Sequence, residues 1–150
     1  MKKIFFILIH PVRRLYWFIM RPHTQGVKGI VFFENMVLMI RNSYGRGHWT
    51  LPGGRVKRKE PPLDAVKREI KEETGITIDQ YHLVVTYKHV KEYKRDTVSC
   101  FAADTDTDQF KIDPSEVKEA RWFPVRELPD FISPNIKKFV VPFIQAHAKK

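Results

Sequence analysis

The sequence is short of cysteine, of long apolar runs and of acid relative to base. Cys100 is the single cysteine in 150 residues, so no internal disulfide can form, and no Cys/His group has zinc-ligand spacing. A reducing, cytoplasmic setting is the expectation. Cys100 lies in the apolar run Val98-Ser99-Cys100-Phe101-Ala102-Ala103, which reads as a buried core thiol rather than a nucleophile. The 7 glycines and 10 prolines are scattered, which excludes a collagen-like or low-complexity chain. The apolar run Ile4 to Ile9 is far shorter than the ~20 residues of a membrane span. His10-Pro11 and Arg13-Arg14 interrupt it, and no small-residue cleavage site follows, so it does not read as a signal peptide.

What is present is globular. Hydrophobic residues make up 43% and charged residues 29%, and a mass of 17.8 kDa suits one domain. Lys and Arg number 27 against 17 Asp and Glu, a net charge of +10. That balance favours anionic partners: nucleotides, nucleic acid or an acidic membrane. Residues 1–20 read as an amphipathic basic extension and residues 21–150 as the domain. In the extension, Leu8, Val12, Leu15, Tyr16 and Ile19 recur at helical spacing, with Arg13, Arg14 and Arg21 interleaved. A helix packed on the domain is the favoured reading; a peripheral helix touching anionic lipid is the rival.

The domain reads as strands, helix, strands, helix. Val27 to Phe33 and Met36 to Ile40 form a hairpin across Glu34-Asn35. His48 to Leu51 reads as a short strand entering Pro52-Gly53-Gly54. Pro62 to Thr74 is a helix, with proline at its start and Gly75 just past its end. Strands follow at Leu83 to Val90, Thr97 to Ala103 and Val117 to Phe123. A last helix starts at Ser133-Pro134, and Pro142 should kink or shorten it. The expected class is α/β or α+β, with a mixed sheet between helices.

The stretch Gly54 to Ile76 carries the chemistry. On its helix Leu63, Val66 and Ile70 share one face, while Glu69, Glu72 and Glu73 fall on another. Lys67, Arg68 and Lys71 stand beside these acids, so a salt-bridged surface helix is the plain alternative. A Gly-Gly turn precedes the helix, however, and lets backbone approach a phosphate or a metal. Glu60 adds another carboxylate just before it. Hard oxygen ligands gathered this way suit Mg²⁺ or Mn²⁺, which would relieve their mutual repulsion. Arg68 has the geometry to hold one carboxylate in a bidentate pair.

This stretch resembles the Nudix box, G-x5-E-x7-R-E-U-x-E-E-x-G-U, where U is aliphatic. Gly54, Glu60, Arg68, Glu69, Ile70, Glu72, Glu73, Gly75 and Ile76 fill every defined position. The flanks His48-Trp49-Thr50-Leu51-Pro52-Gly53 and Glu116 to Pro124 are also similar to the family. The resemblance implies an α/β/α sandwich and metal-dependent hydrolysis of a nucleoside diphosphate linked to another moiety. It implies Glu72 and Glu73 as main metal ligands, and Glu60 as a ligand or support for the cluster. Arg68 would position a glutamate, and Gly53 would offer its carbonyl to a metal. Glu69 would be a further ligand, or would orient or deprotonate the attacking water. Glu69 is the first choice of general base, with Glu116 or Glu119 the alternative.

Arg41, Arg46, His48 and Arg55 flank the expected phosphate site and could neutralise substrate charge. Tyr44 and Trp49 are of a type that stacks on a base, although packing is the safer reading of Trp49. Tyr93 stands where diadenosine polyphosphate hydrolases resemble this chain, and Lys91-Glu92 stand where ADP-ribose enzymes tend to have proline. The expected partner is a nucleotide-type small molecule. A capped RNA 5′ end, a second copy of the chain and a membrane surface stay open, as does a non-catalytic nucleotide- or RNA-binding module of the same fold.

Overall fold

The computed structural model describes residues 15–16, 18–20, 23–91 and 94–148. Strands β1 (His23–Phe33) and β2 (Met36–Asn42) form the expected antiparallel hairpin. Strand β1 begins earlier than its apolar pattern suggests, because β5 (Lys94–Asp104) pairs with it in parallel from His23↔Arg95 to Phe32↔Asp104. Backbone hydrogen bonding to a neighbour extends a strand beyond its apolar residues. Strand β4 (His82–Lys91) lies antiparallel to β5, and β6 (Val117–Pro124) antiparallel to β2. The sheet order is β4-β5-β1-β2-β6, and the short β3 (Gly53–Arg55) pairs with the first half of β1. Tyr93 and Glu92, in the β4–β5 connection, lie outside the described residues.

Helix α1 (Pro62–Thr74) covers one face of this mixed sheet. Helices α2 (Pro134–Phe139) and α3 (Val141–Ala146) cover the other. Side chains alternate along a strand. Val27 and Val31 of β1 therefore meet Val66 and Ile70 of α1, while Ile30 and Phe32 meet the α2–α3 side. Gly29 lets α1 sit close: a Cβ there would come within 2.5 Å of the Ile70 side chain. The last helix breaks at Val140, just ahead of Pro142, as a missing N–H and a ring clash require. The α/β/α sandwich with a mixed sheet is thus the observed architecture.

Two local expectations change. His48 to Leu51 is not a strand. Thr50 makes a single bridge to Ile40, and Trp49 is drawn to the 131–133 segment, with its N–H on the Phe131 carbonyl at 2.8 Å. The sheet strand comes one step later, at Gly53–Arg55. Leu63 is 38% exposed and does not join the apolar face of α1. The buried stripe is Ala65, Val66, Glu69, Ile70, Glu73 and Thr74. At about 100° per residue Leu63 lies within the arc of that stripe, between Ile70 and Thr74, but in the first turn, where it is exposed.

Residues 1–14 of the basic extension lie outside the described residues. Leu15, Tyr16, Ile19 and Met20 are helical but exposed, so the favoured packing on the domain is not seen at these four residues. Among the described residues, no helix is long and apolar enough to cross a membrane.

Candidate active site

The site begins with the entry into α1. Pro62 supplies a fixed φ in the first turn, and Gly75 ends the helix in the left-handed conformation with its N–H on the Lys71 carbonyl. Between them, Glu69 and Glu73 lie four residues apart on the buried stripe, 8% and 4% exposed. Glu72 is off the stripe and solvent-facing. The helix therefore presents two of its three glutamates inward rather than a solvated row.

The Gly-Gly turn is held by those two acids. The Gly53 N–H donates to Glu73 Oε2 at 2.9 Å. At Gly54 there is no room for a side chain, since a Cβ would lie 2.5 Å from the Glu69 carboxyl. The glycine at this position makes way for Glu69.

Arg68 organises the remaining acids. Its Nε and Nη2 donate to the two Glu60 carboxylate oxygens, both at 2.9 Å, a bidentate pair. Nη1 donates to Glu69 Oε1 at 2.8 Å and reaches Glu72 Oε2 at 3.4 Å. Nη2 also donates to the Arg55 carbonyl at 3.1 Å. One guanidinium thus ties the loop before α1 to the helix. These bonds push the Arg68 pKa up and hold Glu60 at about 2.

Glu116 arrives from the β6 edge of the sheet. It ends the turn before β6, where Asp113 Oδ1 accepts from the Ser115 N–H and hydroxyl, and the Asp113 carbonyl accepts from the Glu116 and Val117 N–H groups. A register shift between Arg41 and Asn42 sets this end of the β2–β6 pair. The result is a convergence: one carboxylate oxygen each from Glu69, Glu73 and Glu116 lies within 4.8 Å of the others. Burial raises the Glu73 pKa to about 7, and the Glu69 and Glu116 charges raise it too, against the opposing Gly53 N–H and Lys28. Three hard oxygen donors facing each other fit a divalent cation of the Mg²⁺ or Mn²⁺ type.

The other residues singled out from sequence divide. Arg46 and His48 line a cavity of about 310 Å³ beside the acids, with Tyr44 on its rim. Arg41 is taken up elsewhere, paired to Glu119 at 3.3 Å and lying over the Trp49 ring. Glu119 also accepts from Arg121, so it stands outside the carboxylate cluster. Arg55 is exposed and lines a separate depression. Trp49 is core, edge-on to Phe123. Cys100 is fully buried, and burial pushes its thiol up to about 11.

Three cavity residues escaped the sequence reading: Lys28, Tyr87 and Asn135. Lys28 did leave a signal, being a lysine with the same strand parity as Ile30 and Phe32. Tyr87 and Asn135 left none, because only the fold brings β4 and α2 to this place.

Known proteins agree with this architecture. Residues 22–143 match the family model of the NUDIX domain. A Bacillus subtilis (strain 168) protein named for 8-oxo-dGTP diphosphatase activity is 31% identical over 121 residues, covering 81% of this chain and 80% of its own length. Nudix hydrolase 8 of Arabidopsis thaliana is 30% identical over 113 residues, covering 70% of this chain; the chain spans 30% of that longer protein. The crystal structure of the MutT protein from Methanosarcina mazei Go1 superposes with a TM-score of 0.74 at 23% identity, covering 86% of this chain and 97% of that one. With every defined position of the box filled and the sandwich in place, the chain belongs to the Nudix hydrolases, of the MutT-like kind.

Proposed function

We propose that this Nudix hydrolase splits the pyrophosphate linkage of a nucleoside triphosphate, releasing a mononucleotide and pyrophosphate. The observation that carries the proposal is the convergence of Glu69, Glu73 and Glu116, whose charges reach Lys28 and Tyr44 in the cavity wall. The cavity is small and partly lined by Tyr44, His48, Tyr87 and Asn135, which suits one base with its sugar. The name of the Bacillus subtilis relative points to the same substrate class.

Glu69, Glu73 and Glu116 would hold Mg²⁺ or Mn²⁺, which when bound supplies Lewis-acid neutralisation of phosphoryl charge. The chain's own residues do the rest. Arg68 fixes Glu69 by one oxygen, leaving the other either to join Glu73 and Glu116 as a ligand or to orient a water and take its proton. Glu116, solvent-exposed at the rim, is the alternative acceptor. Glu60 keeps Arg68 in place. Arg46 and His48 meet the anionic substrate at the cavity mouth.

The test is product release from a panel of nucleoside triphosphates, dinucleoside polyphosphates, ADP-ribose, nucleotide sugars and capped RNA, with Mg²⁺ or Mn²⁺. Triphosphates should turn over fastest and yield pyrophosphate, and Glu73→Gln should abolish it. Faster turnover of another class would reassign the substrate. No turnover with either metal, together with retained nucleotide or RNA binding, would make the chain a binding module.

A further inference from the structure

Lys28 is the cation of this site that sequence did not reveal. It sits in the middle of β1, opposite Gly53 on one side and Cys100 on the other. Its Nζ donates to the Leu51 carbonyl at 3.0 Å. An ammonium carries three donors, and the remaining two have no partner among the described residues. Neither does a carboxylate pair with it directly, although the Glu73 and Glu69 charges act on it from nearby. Burial lowers its pKa below the usual lysine value.

The neighbouring cations are differently placed. Arg68 is saturated by Glu60, Glu69 and the Arg55 carbonyl. Arg41 is committed to Glu119. Arg46 and Arg55 are solvent-exposed. Lys28 alone of these five lines the cavity while standing next to Gly53 and feeling both inward acids. A half-buried ammonium at a cavity wall with one neutral acceptor is an incomplete arrangement, and an anion completes it.

We infer that Lys28 is a phosphate-binding residue, donating to a non-bridging oxygen of the substrate diphosphate where it passes from the acid cluster into the cavity. The inference rests on the acid cluster being the place where that diphosphate is held. It assigns the residue to the diphosphate, common to every candidate substrate, and not to the base. Lys28 would act as a point charge, anchored by Leu51 and backed by the sheet.

The experiment titrates inorganic pyrophosphate in Mg²⁺ buffer, and separately Mn²⁺ alone, into the native chain, Lys28→Met and Lys28→Arg, with thermal melts of each. Lys28→Met should weaken pyrophosphate binding at least about tenfold, the size of a lost charge-assisted hydrogen bond. Its Mn²⁺ affinity should hold, and Lys28→Arg should stay within about threefold of native for pyrophosphate. In turnover, Lys28→Met should lose more in KM than in kcat. Native pyrophosphate affinity in Lys28→Met would overturn the inference. So would joint loss of pyrophosphate, Mn²⁺ and thermal stability in both variants, which marks a structural lysine. If the native chain binds pyrophosphate through Lys28 but no Mn²⁺, the metal reading of the acid cluster fails and the Lys28 assignment stands.

Discussion

Helix α1 and the α2–α3 pair each lay one stripe of residues on the sheet, and the two stripes differ in kind. On the α2–α3 side Ile136, Val140 and Ile144 are buried and apolar, Ile136 at the inner end of the cavity wall. On the α1 side Val66 and Ile70 alternate with Glu69 and Glu73, equally withdrawn from water. Burying an aliphatic side chain stabilises a fold by roughly 1.5–3 kcal/mol. Burying a carboxylate costs free energy unless a partner meets it. The acids of the α1 face therefore need Arg68 and the Gly53 N–H as partners, whereas Ile136, Val140 and Ile144 need only shape. Both sides of the sheet are packed by apolar residues; the α1 side in addition carries the inward acids, while α2 contributes Asn135 and Ile136 to the cavity.

Single substitutions break this contrast from either side. Glu73→Gln has the largest expected effect: turnover falls about a thousandfold, because transition-state charge loses its compensation. The same variant should melt higher than the native chain at pH 8 in EDTA, and no higher at pH 5. The sign follows from the raised folded pKa. Between 4.5 and about 7 the folded state holds the proton longer than the unfolded one, so native stability falls as pH rises through that window and levels off above it. Equal melting shifts at both pH values would contradict this account.

On the opposite face Ile144→Ala should cost about 2–5 kcal/mol in denaturant unfolding, by cavity formation. The kcat per folded molecule should stay unchanged. A proportionate loss of kcat would show that packing at Ile144 is coupled to the site.

Gly54→Ala places a Cβ against the Glu69 carboxyl. Its kcat should drop about tenfold with little change in melting, as expected when a catalytic group is moved by a fraction of an ångström. Normal kcat would mean that Glu69 can retreat without consequence.

Metal titration sharpens the same comparison. Mn²⁺ affinity should rise with pH up to about 7, where Glu73 gives up its proton, and then flatten. A pH-independent affinity would remove Glu73 from the ligand set.

The smallest effect concerns the extension. We propose that the exposed Leu15, Ile19 and Met20 meet anionic lipid, with the neighbouring basic residues supplying charge. Pelleting with phosphatidylserine vesicles should be modestly stronger for the whole chain than for a form starting at Arg21. Equal pelleting would end this reading.

The order of elements, the proline and glycine that bound α1, the break at Pro142 and the box acids were all legible in sequence. Each rests on local chemistry: proline's missing N–H, glycine's left-handed freedom, and a fixed spacing of Arg68, Glu69 and Glu73 on one helix. Which acids would face one another was not legible. Glu116 and Glu119 looked alike on paper. The turn around Asp113 sends Glu116 to the site, while the β2–β6 register gives Glu119 to Arg41 and Arg121. Glu72 shares the helix with Glu69 and Glu73, yet its direction leaves it in solvent.

By itself, then, the sequence determined a Nudix sandwich and the chemistry of its helix, because short-range spacing decides what a helix can present. Only the tertiary structure decided the cluster of Glu69, Glu73 and Glu116, and the place of Lys28, Tyr87 and Asn135 beside it. Apart from Glu69 and Glu73, which share α1, those residues come from segments far apart in the chain. Their meeting depends on strand order and register, which emerge from the packing of the whole sheet rather than from any local stretch.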